Sequence, residues 1–346
     1  MAEQRSVWLS PRNDRRVNAL SRSGAAAALR QRLTRRRLSP PLGFVHMPKA
    51  AGTSLTRAVE AWLRPRRFVG GMDGSQIGAP GDSASLSADL RARYHLPPTR
   101  LPAGADLIAG HFALSTLLAH DPAIRLFTML RAADARTLSH WFYLRAYDDA
   151  RLARFGEWGA FLALARRPLG EFLALPALAC QTDNVMARLL LWPDPRIPAG
   201  DFIAEADIPA LTAAALQRLS RFDCAGVIED REAEPRLFAW LAATVGRSPW
   251  SRLAALRAAP ERAARNQAAP PAGGVARPMA EEMADAAALL PARNRIDRVL
   301  WREVAQRSMP GADLDRIEAE SLARTAARYD RLLGFAPEAA GQAAAR

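Results

Sequence analysis

The sequence predicts an α/β protein: a central, mostly parallel sheet flanked by helices, with a helix-rich C-terminal half. Three observations carry that expectation. Short apolar runs alternate with helical-period segments between residues 42 and 147, in the order strand, helix, strand, helix, strand, helix. The first apolar run ends in a Gly/Thr/Ser loop that opens a helix, an arrangement suited to anions. Beyond residue 150 the apolar spacing is helical except for one more strand-like run.

Leu42 to Met47 is a short apolar run bounded by Pro41 and Pro48 and reads as a buried strand. Ser54 to Leu63 carries Leu55, Val59 and Trp62 at helical spacing. Residues 64–104 are rich in Gly, Pro, Ser and Arg and read as a long loop with one short helix near Leu86 to Tyr94. Loops of that length in compact domains tend to bind or cover ligands. Asp106 to Gly110 and Arg125 to Leu130 are the next strands, followed by helices at Leu114 to Ala119 and Asp134 to Tyr147. Helical patterns continue at Trp158 to Arg166, Ala177 to Leu191 and Ile208 to Arg221. Asp223 to Ile228 is a fourth strand, and Pro235 to Val245 a helix. Residues 248–278 shift to Ala, Pro, Gly and Arg and read as a flexible excursion. Arg293 to Arg307 and Leu314 to Leu333 are the last helices. The expected organisation is a basic arm over 1–40, one α/β domain over 41–335 and a frayed tail over 336–346.

With 346 residues, 49% hydrophobic, the chain can bury a large core. No apolar run reaches the roughly 20 residues that span a bilayer, and no signal-type apolar segment follows the basic N-terminus, so a cytoplasmic protein is expected. Ten arginines against Glu3 and Asp14 in residues 1–37 hold most of the formal net charge of +13. That arm reads as a solvated leader or as a segment that touches an anionic membrane surface, nucleic acid or a polyanionic substrate. The body has few aromatics interleaved with basic residues, and specific nucleic-acid binding is not expected. Cys180 and Cys224 form no metal spacing or disulfide framework and read as buried thiols. The five histidines are scattered, and no metal site is expected.

Lys49 is the single lysine among 48 basic residues. It lies in Phe44-Val45-His46-Met47-Pro48-Lys49-Ala50-Ala51-Gly52-Thr53-Ser54-Leu55, between the first strand and the first helix. Lysine is a compact point charge and arginine a wide fork. A turn whose N–H groups crowd an anion leaves room for the former. Chance in an arginine-biased chain is the bland alternative. Gly52 permits close backbone approach, and Thr53 and Ser54 offer hydroxyls and amides at a helix N-terminus. A nucleotide-triphosphatase loop carries lysine after its second glycine; here lysine precedes the glycine, and no acidic strand end for magnesium is evident.

These residues resemble the 5′-phosphosulfate-binding loop of carbohydrate sulfotransferases, most closely the heparan sulfate 2-O-sulfotransferase-like group and its bacterial relatives. Phe127 to Tyr143 resembles that group's 3′-phosphate segment, whose pattern is Arg-Asp-Pro-x-x-Arg-x-x-Ser. Arg131, Arg136 and Ser139 match it, while Ala132, Ala133 and Ala135 stand where Asp, Pro and Glu are usual. Ala109-Gly110-His111-Phe112 resembles its Gly-His segment, and Phe222 to Glu229 its late strand. Gln181 to Asn184 with Arg188 weakly resembles its Asn/Gln-rich helix.

The resemblance implies a P-loop-like three-layer fold. It also implies transfer of a sulfuryl group from 3′-phosphoadenosine-5′-phosphosulfate (PAPS) to a carbohydrate or other hydroxylated acceptor, without a metal. It assigns Lys49 and His111 to catalysis, and Lys49, Ala51, Gly52, Thr53, Ser54, Leu55, Arg131 and Ser139 to the nucleotide.

The residues read alone are compatible. Arg131 at a strand end can grip phosphate with a bidentate fork; the alternative is a strand-end salt bridge. Ser139 is a helix serine that could close on the same anion or merely sit on the helix face. Lys49 would face charge developing on the leaving oxygen. His111 closes a strand and could act as base, or serve structurally. His46 reads as an orienting residue, and His140 as packing or surface. Arg145 and Arg188 read as solvated helix arginines or as cleft residues. Trp141, Phe142 and Tyr143 read as core and cleft wall. A kinase and a non-catalytic glycan- or partner-binding protein of the same fold are the competing functions.

Overall fold

The computed structural model describes residues 37–77, 83–95, 101–246 and 276–335. Most of the basic arm and of the 248–278 excursion, and the tail over 336–346, lie outside them. Five strands form one parallel sheet: β1 (Leu42–Val45), β2 (Phe68–Met72), β3 (Leu107–His111), β4 (Arg125–Leu130) and β5 (Cys224–Val227), in the order β2-β3-β1-β4-β5. The register pairs Val45 with Gly110 on one side and with Thr128 on the other, so these strands end level.

Side chains alternate across the sheet and build two cores. Leu42, Phe44, Leu107, Ala109, Phe127 and Met129 face helices α1 (Gly52–Leu63) and α6 (Ala233–Thr244). Val45, Ile108, Leu126, Leu130 and Val227 face α2 (Leu114–His120), α4 (Val185–Leu191), α5 (Ile208–Leu219) and α7 (Arg295–Ser308). A sheet covered on both faces needs apolar side chains on both, which is why its strands read as continuous apolar runs. The result is three layers. A further helical cluster gathers around α3 (Ala133–Arg145) and α8 (Leu314–Leu333), where the Phe142 and Tyr329 rings stack 3.7 Å apart.

β2 lies inside the segment expected to be a loop. Its sequence Phe-Val-Gly-Gly-Met hides the strand, because two of five residues lack side chains. Gly71 has φ 143°, and a Cβ there would strike the Arg93 carbonyl. A Cβ on Gly110 of β3 would in turn strike the Gly71 carbonyl. The glycines serve backbone proximity, and their strand propensity is correspondingly low.

The helix expected over 177–191 divides at Asn184, whose left-handed φ of 46° breaks it. Asn184 Oδ1 accepts from Ile296 N–H at 2.8 Å, and its own N–H donates to Arg293 O at 2.7 Å. Arg188 is neither solvated nor in a cleft. It is buried, donating to Asp183 O and Oδ2, Pro198 O and Asp201 O at 2.6–2.9 Å. Arg145 is also buried, 3.7 Å from Glu282 and over the Trp141 ring. Among the described residues no helix is long and apolar enough to cross a membrane.

Candidate functional site

After β1 the chain crosses towards β2; after β4 it crosses towards β5. β1 and β4 are neighbours whose connections diverge, the point at which open α/β sheets form a crevice beyond their carboxyl ends. Lys49 follows β1, His111 ends β3, Arg131 follows β4 and Glu229 follows β5, so all four side chains issue from one edge of the sheet.

The loop between β1 and α1 has an unusual backbone. Lys49 and Ala51 have positive φ, 66° and 58°, a conformation that costs a side-chain-bearing residue roughly 1–2 kcal/mol. Such left-handed turns make backbone concavities that suit anions. No side chain caps α1, and its first backbone bond runs from Leu55 N–H to Ala51 O at 3.1 Å. The amides of Gly52 and Thr53 precede that bond and have no intrahelical acceptor. Leu55, grouped with the anion-binding residues by resemblance, points its side chain into the core and commits its amide to Ala51. Gly52 has a role the sequence did not disclose: a Cβ there would fall inside the His46 imidazole.

Lys49 Nζ rests 4.1 Å from the centroid of the Tyr143 ring. The Tyr143 hydroxyl accepts from Arg151 Nη2 at 2.9 Å, and the Arg151 guanidinium lies 3.8 Å over Tyr147. Burial, followed by repulsion from Arg131, Arg328 and Arg151, brings the Lys49 ammonium down to about 7. An anion in the same crevice would oppose both, offsetting the burial and countering the repulsion.

Arg131 and the lysine loop are in direct contact. Arg131 Nη1 donates to the Lys49 carbonyl at 3.2 Å, and Nη2 donates to Thr325 Oγ1 of α8 at 2.5 Å. Arg131 Nε is buried with no hydrogen-bond partner among the described residues. Ser139 on α3 is 5% exposed, and its Oγ accepts from the Tyr329 hydroxyl at 3.0 Å. Arg136, though it matches the resembled pattern, is fully buried 3.9 Å from Asp297 and serves the core. The alanines at 132, 133 and 135 do not leave the Arg131 loop unsupported. Glu229 Oε1 accepts from Ala132 N–H at 3.0 Å, and Asp134 is held by Asn294 at 3.0 Å and Arg298 at 2.7 Å.

Three histidines adjoin the lysine. His111 Nδ1–H donates to the His46 carbonyl at 2.8 Å. A carbonyl can only accept, so the neutral ring carries its lone pair on Nε2. Burial holds His111 below its ordinary value, and repulsion from Lys49 acts in the same direction. His46 lies 4.3 Å from His111 ring to ring and stacks on Phe44 at 5.6 Å; burial lowers it strongly. His140 is fully within the fold rather than at the surface: Nε2 donates to Gln181 Oε1 at 2.7 Å, Nδ1 is buried with no hydrogen-bond partner among the described residues, and burial above all brings the ring down to about 3.

The structure thus brings Lys49, Gly52, Thr53, His111, Arg131 and Ser139 to one edge. It adds Tyr143, read from the sequence as core or cleft wall, and Glu229, at the end of the late-strand segment, together with Arg151, Thr325, Arg328 and Tyr329, which sequence reading passed over. For α8 a signal existed: its polar and basic residues recur at helical spacing. Cys180 is buried and Cys224 half-buried, with burial raising their thiols to about 12 and about 11. Among the described residues no group of three His, Cys, Asp or Glu is placed to hold a metal ion. No family model, curated protein or solved structure matches the chain.

Proposed function

We propose that the chain is a PAPS-dependent sulfotransferase of P-loop-like fold, acting on a hydroxyl of a carbohydrate or related acceptor. The observation that carries this reading is the Arg131–Lys49 carbonyl bond at the sheet's divergence point. It joins two cationic side chains, each bordered by anion-seeking groups, into one crevice. A nucleotide with anions at both ends of its ribose fits that pattern. The α1 amides of Gly52 and Thr53 would hold the 5′ end, and Arg131 with Ser139 the 3′-phosphate. The unpartnered Arg131 Nε supports the fit, because a buried donor without an acceptor costs about 1–3 kcal/mol.

Lys49 then stabilises the phosphate oxygen that leaves as the sulfur–oxygen bond breaks. His111 Nε2 takes the proton of the acceptor hydroxyl as its oxygen bonds to sulfur. Burial keeps the imidazole neutral and able to accept that proton. His46 fixes the tautomer through its carbonyl. The Tyr143 ring holds the lysine ammonium in place while Arg151 orients the phenol.

Calorimetry with 3′-phosphoadenosine-5′-phosphate (PAP) and with ATP tests the reading: PAP binds at least tenfold more tightly. PAPS turnover against hydroxyl-bearing glycans tests the chemistry. Lys49→Ala and His111→Asn are expected to lower turnover by 10²-fold or more. PAP binding without turnover on any acceptor would favour a non-catalytic binding protein. No PAP binding would remove the proposal.

A further inference from the structure

Asp73 follows β2 and is wholly buried. Its carboxylate accepts four hydrogen bonds at 2.5–3.0 Å. Oδ1 takes Ser75 N–H and Oγ; Oδ2 takes Ala113 N–H and Thr116 Oγ1. A carboxylate offers about four lone-pair sites, so its acceptor capacity is filled. All four donors are neutral, and none of them cancels the charge. Capping the turn at Gly74–Gln76 needs only a short polar side chain, and serine or asparagine does it as well. A buried charge is the costlier choice, which points to a use for it.

That charge lies beside His111. Asp73 N–H donates to the His111 carbonyl at 3.2 Å, and Oδ2 holds the amide of Ala113, two residues further on. One residue beyond β2 thus brackets the end of β3 and the start of α2, with the histidine between them. The ring turns its Nδ1–H to the His46 carbonyl, so the carboxylate acts on it through space and through the backbone. Burial holds the imidazole down; the His46 carbonyl and then the Asp73 carboxylate pull it up, against a push from Lys49. His46 and His140 face it as well, from the β1 loop and from α3, and burial keeps both low. Among these neighbours Asp73 alone is anionic.

We propose that Asp73 is a positioning residue for the base: it aims His111 through the backbones of β3 and α2 and supplies the negative charge that favours the imidazolium. The inference rests on the catalytic reading of His111 given above and extends it to a residue outside the crevice wall. The proton of the acceptor hydroxyl goes to His111 Nε2 and no further. Asp73 takes none, because its oxygens are occupied. A base crowded by burial and an ammonium accepts protons poorly; a fixed carboxylate nearby offsets both.

The test is an NMR titration of the histidines in the full chain, in Asp73→Asn and Asp73→Ser, with Thr116→Val as a control that loses a hydrogen bond and keeps the charge. His111→Asn assigns the resonance. His95 is a second reporter, because burial lowers it and the Asp73 carboxylate opposes that. Both neutral variants should move His111 and His95 down by about half a pH unit or more. Thr116→Val should leave them in place or raise them, although its Tm falls too. Unchanged titrations in the neutral variants overturn the proposal whatever Tm does. If neither neutral variant folds, Thr116→Val decides: a fall in His111 overturns the proposal, and an unchanged or raised value sustains it. The titration needs neither nucleotide nor acceptor, so its outcome is separate from PAP binding, whose absence would remove the sulfotransferase reading alone. Where PAPS turnover is found, Asp73→Asn should lower kcat about tenfold and carry the acid limb of kcat/KM to lower pH. An acid limb that stays in place overturns the role in the base.

Discussion

Binding of a phosphate ester at Lys49 is expected to draw a proton from solution. In the free protein the ammonium titrates near 7 instead of 10.5, chiefly through burial and then through Arg131, Arg328 and Arg151. A neighbouring dianion favours the charged form and restores a high value. With those two values, binding takes up roughly 0.9 proton at pH 8, about 0.5 at pH 7 and about 0.1 at pH 6. Apparent PAP affinity accordingly falls by up to about tenfold per pH unit above 7. Calorimetry in buffers of different ionisation enthalpy counts the protons directly, and Lys49→Met should abolish the uptake. The same depression sets a stability trend. Between pH 7 and 10.5 the unfolded lysine holds a proton that the folded one has released, so the Lys49 contribution to stability rises with pH across that window. Below pH 7 the buried charge costs at most about 5 kcal/mol. Lys49→Met should therefore stabilise the fold by a few kcal/mol at pH 6, and by clearly less at pH 10, in urea titrations. A chain that binds PAP at pH 8 with no buffer-dependent heat would refute this account of the lysine.

Three further outcomes are expected. Gly52→Ala places a methyl against the His46 ring and should cost about 1–3 kcal/mol in urea unfolding, against a helix-propensity gain of at most about 1 kcal/mol. In a His46→Ala background that cost should shrink to within about 0.5 kcal/mol, and a cost that persists there means the ring is not the obstacle. Glu229→Ala strips acceptors from Ala132, Ser321 and Trp301 and should lower stability by about 2–4 kcal/mol, weakening PAP binding with it; unchanged thermal melts would show the latch is idle. Cys180 and Cys224, raised to about 12 and about 11, should resist a thiol reagent at pH 8 until denaturant is added. Prompt labelling of either in the native chain contradicts its burial.

Much of the sheet was legible because parallel strands buried on both faces are apolar throughout, as at Arg125 to Leu130, where the expected and observed strands coincide. The lysine loop was legible because composition made Lys49 singular. β2 was not, since the close approach of Gly71 to Gly110 requires residues with no strand signature. Arg145 and Arg188 misled for different reasons: the partner of the first, Glu282, lies far along the chain, and the second is enclosed by Asp183 and by carbonyls of the turn at Pro198 and Asp201 that folds back over it. The helix α8 was legible, yet which of its polar residues are buried, Ser321, Thr325 and Tyr329, depends on packing against α3 that the sequence alone does not reveal. The alanines after Arg131 give no sign of the brace on their loop, because that brace, Glu229, follows a different strand.

That brace has a consequence for how the crevice comes into being. The turn after β4 carries no stiffening residue of its own and borrows one supplied 97 positions later. Its grip therefore depends on β5, which carries the chain to Glu229, and on α7, whose Trp301 holds the other oxygen of that carboxylate. A fragment cut before residue 229 would retain the arginine and still lack the shape that makes it useful.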